Sequence, residues 1–206
     1  MKNLIMELIE KYDVVERIRC INPSYGYKKS REARTDSISG YPNGVALREY
    51  LRNIEMSNKE SSLAIYTVDI LGLHNFNELY GDSTGDRVIV LTLDTVNKAV
   101  SVFGGKTYRE NTKGDEVIAV VEDIDRQTAD SIPKRIRNVF DCYTNLKNGL
   151  SISVAIGMVH SPNRKDPFKN LDKSKDQSHI EKAKIYTDNP ELERRKHRSL
   201  ELVNKL

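Results

Sequence analysis

Asp115 and Glu116 stand side by side in the turn Thr112-Lys113-Gly114-Asp115-Glu116-Val117, just ahead of the apolar run Val117 to Val121. Adjacent carboxylates repel each other, and a turn needs only one small polar residue, so the pair is poor structural material. It suits a hard divalent cation, which takes oxygen ligands. A further acid, Asp69, closes another apolar run, Leu63 to Val68. Three carboxylates held together would raise one another's pKa unless a cation compensated. The chemistry therefore depends on whether the fold brings Asp69 beside the turn.

The elements that must do so can be read from apolar spacing. Residues 63–69 read as a buried strand ending in Asp69. A helical turn and loop follow over 70–83, then a strong helix over about 84–103, with Ile89, Leu93, Val96 and Val100 at helical spacing and Gly104-Gly105 as its stop. Two strands, 106–111 and 116–122, flank the acidic turn as a hairpin. A helix over 126–147 and a strand over 150–159 complete the series. The order strand–helix–hairpin–helix–strand is β-α-β-β-α-β, which predicts an α+β fold: a central antiparallel sheet with helices on one face. Its central strands can set Asp69 next to the hairpin. Around this core we expect an N-terminal helix over 1–20, a polar linker over 22–35, turn chemistry over 36–43 and a helix over 45–54. A polar loop is expected over 160–178, where two prolines and many charges fall, then a short helix over 180–186 and a basic helix over 190–206.

Composition narrows the function classes. The 206 residues fit one domain. With 33 basic and 30 acidic residues, a net charge of +3 is too even to argue for a nucleic acid polymer or a membrane surface. Cys20 and Cys142 form neither a disulfide framework nor a metal-ligand spacing, and the four histidines are dispersed, which argues against a zinc site. No secretory pattern is visible and no apolar run approaches about 18 residues, so a cytoplasmic protein is expected.

Several motifs coincide with one family. Asp36-Ser-Ile-Ser-Gly-Tyr-Pro-Asn43 resembles the D-x-L-T-G-L-P-N entry of GGDEF domains, the diguanylate cyclases. Residues 69–86, from Asp69-Ile-Leu-Gly through Asn77 to Gly85-Asp86, resemble their D-I-D-x-F-K-x-I-N-D-x-Y-G-H-x-x-G-D stretch. Lys113-Gly-Asp-Glu-Val117 is similar to the signature turn, Ser153-Val-Ala-Ile-Gly157 to the S-x-G strand, and Ala183-Lys184 to a late A-K pair. The resemblance covers about residues 36–190, leaving 1–35 as an N-terminal helix and linker and 191–206 as a basic C-terminal helix.

The resemblance implies a palm-like, ferredoxin-type core and condensation of two GTP into cyclic di-GMP and pyrophosphate by a homodimer, with Mg²⁺ or Mn²⁺ as cofactor. It implies that Asp69, the carbonyl of Ile70, Asp115 and Glu116 bind metal, and that Glu116 ligates it or accepts the 3′-hydroxyl proton. Asn77 and Asp86 match the guanine-recognising pair; a carboxylate suits the N1–H and amino donors of guanine and would face a lone pair on adenine. Gly72 and Leu73 match amides that hold terminal phosphates, Gly114 belongs to the signature, and Lys184 matches a phosphate-binding lysine.

The departures are specific. Lys113 replaces the first signature glycine, bringing bulk and charge that either obstruct the nucleotide or bind phosphate. His74 replaces a lysine and is the weaker cation at pH 7. Asp188 stands where an arginine is expected. Gly104 and Thr107 occupy the positions of the family's R-x-x-D product-inhibition motif, so that inhibitory site is absent at its usual place. The Lys113, His74 and Asp188 departures motivate one alternative, a catalytically degenerate module that binds nucleotide and signals through a partner; a further alternative, a palm-type cyclase that uses ATP, has the retained Asn77 and Asp86 against it. About 35 residues precede the matching region, fewer than a sensor of ordinary size needs. Regulation is then expected through the N- or C-terminal helix, a protein partner, or expression level.

Overall fold

The computed structural model describes residues 33–57, 59–110, 114–144 and 152–189. The helices expected over 1–20 and 190–206 lie outside these residues, as does Lys113. The elements are α1 (Gly44–Met56), β1 (Leu63–Leu71), α2 (Leu73–Tyr80), α3 (Asp82–Ser101), β2 (Lys106–Arg109), β3 (Glu116–Glu122), α4 (Arg126–Thr144), β4 (Ser153–Ser161) and α5 (Pro167–Asp188). The strands form one antiparallel sheet in the order β2-β3-β1-β4. The expected β-α-β-β-α-β core is present between β1 and β4.

Helices cover both faces of the sheet rather than the single face expected. The cause lies in β1, which is buried along its whole length. A strand that reads Leu-Ala-Ile-Tyr-Thr-Val without alternation has no solvent side. Ala64, Tyr66, Val68 and Ile70 face α3 and α4, joining Val88, Leu93, Val96, Ile132, Ile136 and Phe140 in one core. Leu63 and Ile65 point the other way, into a smaller core with Leu47, Leu51 and Ile54 of α1 and Leu171 of α5. Side chains two apart on a strand share a face, so Thr67 and Asp69 continue this second face towards the C-terminal end of β1.

Of the loop expected over 160–178, residues 162–166 are a loop, whereas 167–178 form the first half of α5. Pro167 starts it, where a missing N–H costs nothing. Its buried positions are Pro167, Asn170, Leu171, Ser174 and Ser178, which keep helical spacing but hold mostly small polar residues. Apolar periodicity is blind to such a stripe. The serines fit because Gly157 of β4 lies beneath them: a Cβ at Gly157 would collide with the Ser174 carbonyl and the Ser178 backbone nitrogen. The Thr67 and Ser174 hydroxyls are bonded at 2.8 Å, and the Ser174 hydroxyl reaches the Leu171 carbonyl at 2.8 Å. Alongside, the Ile156 N–H donates to the Glu181 carboxylate and the Met158 N–H to Gln177 at 3.0 Å. The helix thereby supplies acceptors to β4, which stands at the edge of the sheet.

The turn at 36–43 is also built into the core. Asp36 accepts the Ser39 N–H at 2.8 Å and the Ser39 hydroxyl at 2.6 Å, while both its carboxylate oxygens accept from Arg109 of β2 at 3.1 Å. Asn43 caps α1 by accepting from Val45 at 2.9 Å and Ala46 at 3.3 Å.

Candidate active site

Pairing of β1 with β3 decides where the acids meet. Asp69 is directly opposite Glu116 in that antiparallel ladder. The Ile70 N–H donates to the Asp115 carbonyl at 3.2 Å, extending the pairing by one step into the hairpin turn. Asp69, Asp115 and Glu116 therefore converge at one end of the sheet, although they come from two segments. Asp69 is buried, whereas Asp115 and Glu116 are half-buried. Carboxylate oxygens of Asp69 and Glu116 and a ring nitrogen of His179 all lie within 4.8 Å of one another, a set able to grip a metal ion. Oxygen donors in the majority fit magnesium or manganese better than a soft ion.

Two residues of this centre were not anticipated from the sequence, and both come from α5. The Lys182 ammonium donates to the Asp69 carboxylate at 2.7 and 2.9 Å and to Asp115 at 3.5 Å. His179 Nε2 is 3.3 Å from Glu116. Reading 160–178 as a loop left His179 outside any helix, and the helix expected over 180–186 was too short for its sheet-facing side to be read. Lys184, the lysine singled out by motif, is exposed on the same helix. Residues two apart on an α-helix differ by about 200° in direction, so Lys182 and Lys184 cannot both face the acids.

Burial pushes the Asp69 carboxyl up to about 6; the hydrogen bond from Lys182 opposes this and the nearby Asp115 charge adds to it. Burial works against the charged form of Lys182, yet the hydrogen bond to Asp69 and the fields of Asp69 and Asp115 prevail and raise its pKa. The centre is thus an acid cluster with too much negative charge for its burial, relieved by one lysine.

Next to the acids, Gly72 takes the left-handed conformation, φ 71°, and ends β1 by turning the chain into α2. Gly72 and Leu73 thereby stand at the N-terminus of α2, where backbone N–H groups lack helical acceptors and favour anions. The Gly72 amide is hydrogen-bonded to the Tyr186 phenol, one turn beyond Lys182 on α5. His74 lies on the outside of α2, exposed and 2.7 Å from Glu78. Asn77 sits further along α2 with its side chain against Gly85, where a Cβ would collide with the amide oxygen. That amide oxygen is buried without a hydrogen-bond partner. Asp86, half-buried, follows Gly85 directly on α3. Gly114 is half-buried at the hairpin.

The family model for the diguanylate cyclase GGDEF domain matches residues 33–188. This chain belongs to the GGDEF-domain family. Its fold is similar to that of the coiled-coil and GGDEF-domain structure of DgcB from Caulobacter crescentus in complex with c-di-GMP, with TM-score 0.67 and 17% identity over 87% of this chain and 94% of that one. The diguanylate cyclase SiaD from Pseudomonas aeruginosa, in complex with its activator SiaC, matches with TM-score 0.62 and 18% identity over 87% and 67% of the two chains. The FimX GGDEF domain from Pseudomonas aeruginosa matches with TM-score 0.62 and 11% identity over 73% and 94%. Among curated proteins, none matches the chain in sequence. Identities this low establish the palm-like GGDEF fold. Among the described residues, no helix is long and apolar enough to cross a membrane.

Proposed function

We propose that this GGDEF domain is a diguanylate cyclase: a cytoplasmic nucleotidyltransferase that condenses two GTP into cyclic di-GMP, one GTP being held by each subunit of a homodimer. The observation that carries this reading is the register of Asp69 opposite Glu116, with Asp115 beside them at the hairpin. Three carboxylates at one sheet end are what phosphoryl chemistry on a magnesium or manganese nucleotide requires. Asp69, Asp115, Glu116 and the Ile70 carbonyl would hold the cation. When bound, it neutralises phosphate charge and lowers the pKa of the attacking hydroxyl.

The other residues bind and orient. Amides of Gly72 and Leu73 take the terminal phosphates at the start of α2, with Gly114 leaving room at the hairpin. The side chains of Asn77 and Asp86 recognise the guanine edge, with Asp86 accepting from its Watson–Crick donors. Of the cations suggested by motif for the triphosphate, Lys184 and His74 are exposed and lie outside the acid cluster. The 3′-hydroxyl of each GTP attacks the α-phosphorus of the other, the bond to pyrophosphate breaks, and Glu116 takes up the hydroxyl proton or passes it to solvent.

Lys182 among the carboxylates, together with Asp188 at the end of α5, supports a second reading, a nucleotide-binding module that signals through a protein partner. One experiment separates the two. Purified protein is incubated with Mn²⁺ and an equimolar GTP/ATP mixture at concentrations that promote dimers, with Asp115→Ala as control, and products are weighed by mass spectrometry. The cyclase reading expects cyclic di-GMP from the wild type alone. GTP binding without any cyclic product would leave the binding module; a cyclic adenine product would instead indicate a cyclase that uses ATP.

A further inference from the structure

His179, Lys182 and Tyr186 follow one another at spacings of three and four, so they lie along one face of α5. Each touches a different part of the proposed site. His179 meets Glu116 at 3.3 Å, Lys182 spans Asp69 and Asp115, and Tyr186 holds the Gly72 amide. The Lys182 ammonium is bonded to the carboxylates a cation would need, and the Tyr186 oxygen takes an N–H that a phosphate oxygen would need. One helix face thus satisfies the metal side and the phosphate side together.

We propose that this face of α5 is a self-cap: Lys182 is an internal cation that a divalent ion must displace from Asp69 and Asp115, and Tyr186 a stand-in acceptor that a phosphate must displace from Gly72. The inference rests on the cyclase reading of the acid cluster, and adds that the site carries its own competitor. It also gives Lys182 a role that Lys184 cannot fill from the exposed side of the helix. A lysine held at 2.7 Å by a buried carboxylate is strongly attracted to it, so metal binding is weakened by the cost of removing it.

The test reads metal binding directly, in the full chain, by Mn²⁺ electron paramagnetic resonance titration without nucleotide. Lys182→Met is expected to bind Mn²⁺ about tenfold more tightly than wild type or better. Lys173→Met removes the same charge nine residues earlier, about 13 Å along the helix, and is expected to stay within about twofold of wild type. Tyr186→Phe is expected to leave Mn²⁺ affinity alone and to raise affinity for GTP in EDTA by about threefold, read by calorimetry. Unchanged or weaker Mn²⁺ binding by Lys182→Met overturns the cap. Should Lys182→Met fail to fold, judged by circular dichroism, the Tyr186→Phe arm decides alone, and an unchanged GTP affinity overturns the proposal. Asp69→Asn keeps the two readings apart. Mn²⁺ binding that Asp69→Asn abolishes but Lys182→Met does not strengthen sinks the cap and spares the cyclase site, whereas no binding at the cluster in any variant sinks both.

Discussion

Asp36 and Asp69 are both buried acids, and both are met by a cation from a distant segment, yet they are built differently. Asp36 is closed on all sides: Arg109 contacts both its oxygens at 3.1 Å, Ser39 donates to it twice, and the Arg109 side chain is 3% exposed. Asp69 has one flexible lysine whose side chain is 28% exposed, and two more carboxylates, Asp115 and Glu116, lie beside it. The first pair is complete. The second has surplus negative charge and a partner that can leave. A buried ion pair by itself therefore says little about function; the uncompensated neighbours and the access of the cation distinguish a site from a strut.

The comparison can be broken most sharply at Asp115. Asp115→Ala removes a half-exposed ligand and should cut GTP turnover by about a thousandfold or more, measured as cyclic product, with the thermal melt little moved. Arg109→Met should behave in the opposite way. It strands the sealed Asp36 carboxylate and should cost about 3 kcal/mol or a little more in urea unfolding, and Asp36→Leu added to it should restore much of the loss. If Arg109→Met leaves stability intact, the distinction between strut and site fails.

Gly157→Ala tests whether α5 is held by shape. The new methyl would meet the Ser174 carbonyl and should cost about 1 to 3 kcal/mol, with Mn²⁺ affinity shifting too because Lys182 rides on the same helix. The smallest expected effect is one of pH. The Asp69 carboxyl is raised to about 6 from an ordinary 3.8, so between these values the folded chain holds more proton than the unfolded one. Stability from this group is present below the ordinary value and is lost as pH rises towards 6. Denaturant midpoints from pH 4 to 7 should show that decline in the wild type without metal and not in Asp69→Asn. Added Mn²⁺ should reverse it above pH 6, where Asp69 is ionised.

Much of the acid cluster was legible because its logic is local. Asp69 ends an apolar run and Asp115-Glu116 precede another, so a single antiparallel pairing brings them together. The order of strands and helices along the chain followed from the same runs. Helices on both faces could have been inferred from the missing alternation in β1. What escaped was the first half of α5. Its buried stripe is Ser174 and Ser178 seated over a glycine in another strand, and a contact made by small residues leaves no hydrophobic period. The helix expected over 180–186 was too short to show which side faces the sheet, so Lys182, His179 and Tyr186, whose importance depends on helical phase, were missed. The motif pointed to Lys184, two positions away on the exposed side.

The Lys182–Asp69 contact joins residues 113 apart in the chain. Between them β3 must pair with β1, β4 must add along its other edge, and α5 must then dock across both. Loops of that length close slowly, because their entropy is lost before the distant contact forms. The acid site is therefore assembled from strongly non-local contacts. Until β4 and α5 are in place, Lys182 cannot reach Asp69 and Asp115, so closure of that contact marks the docking of α5.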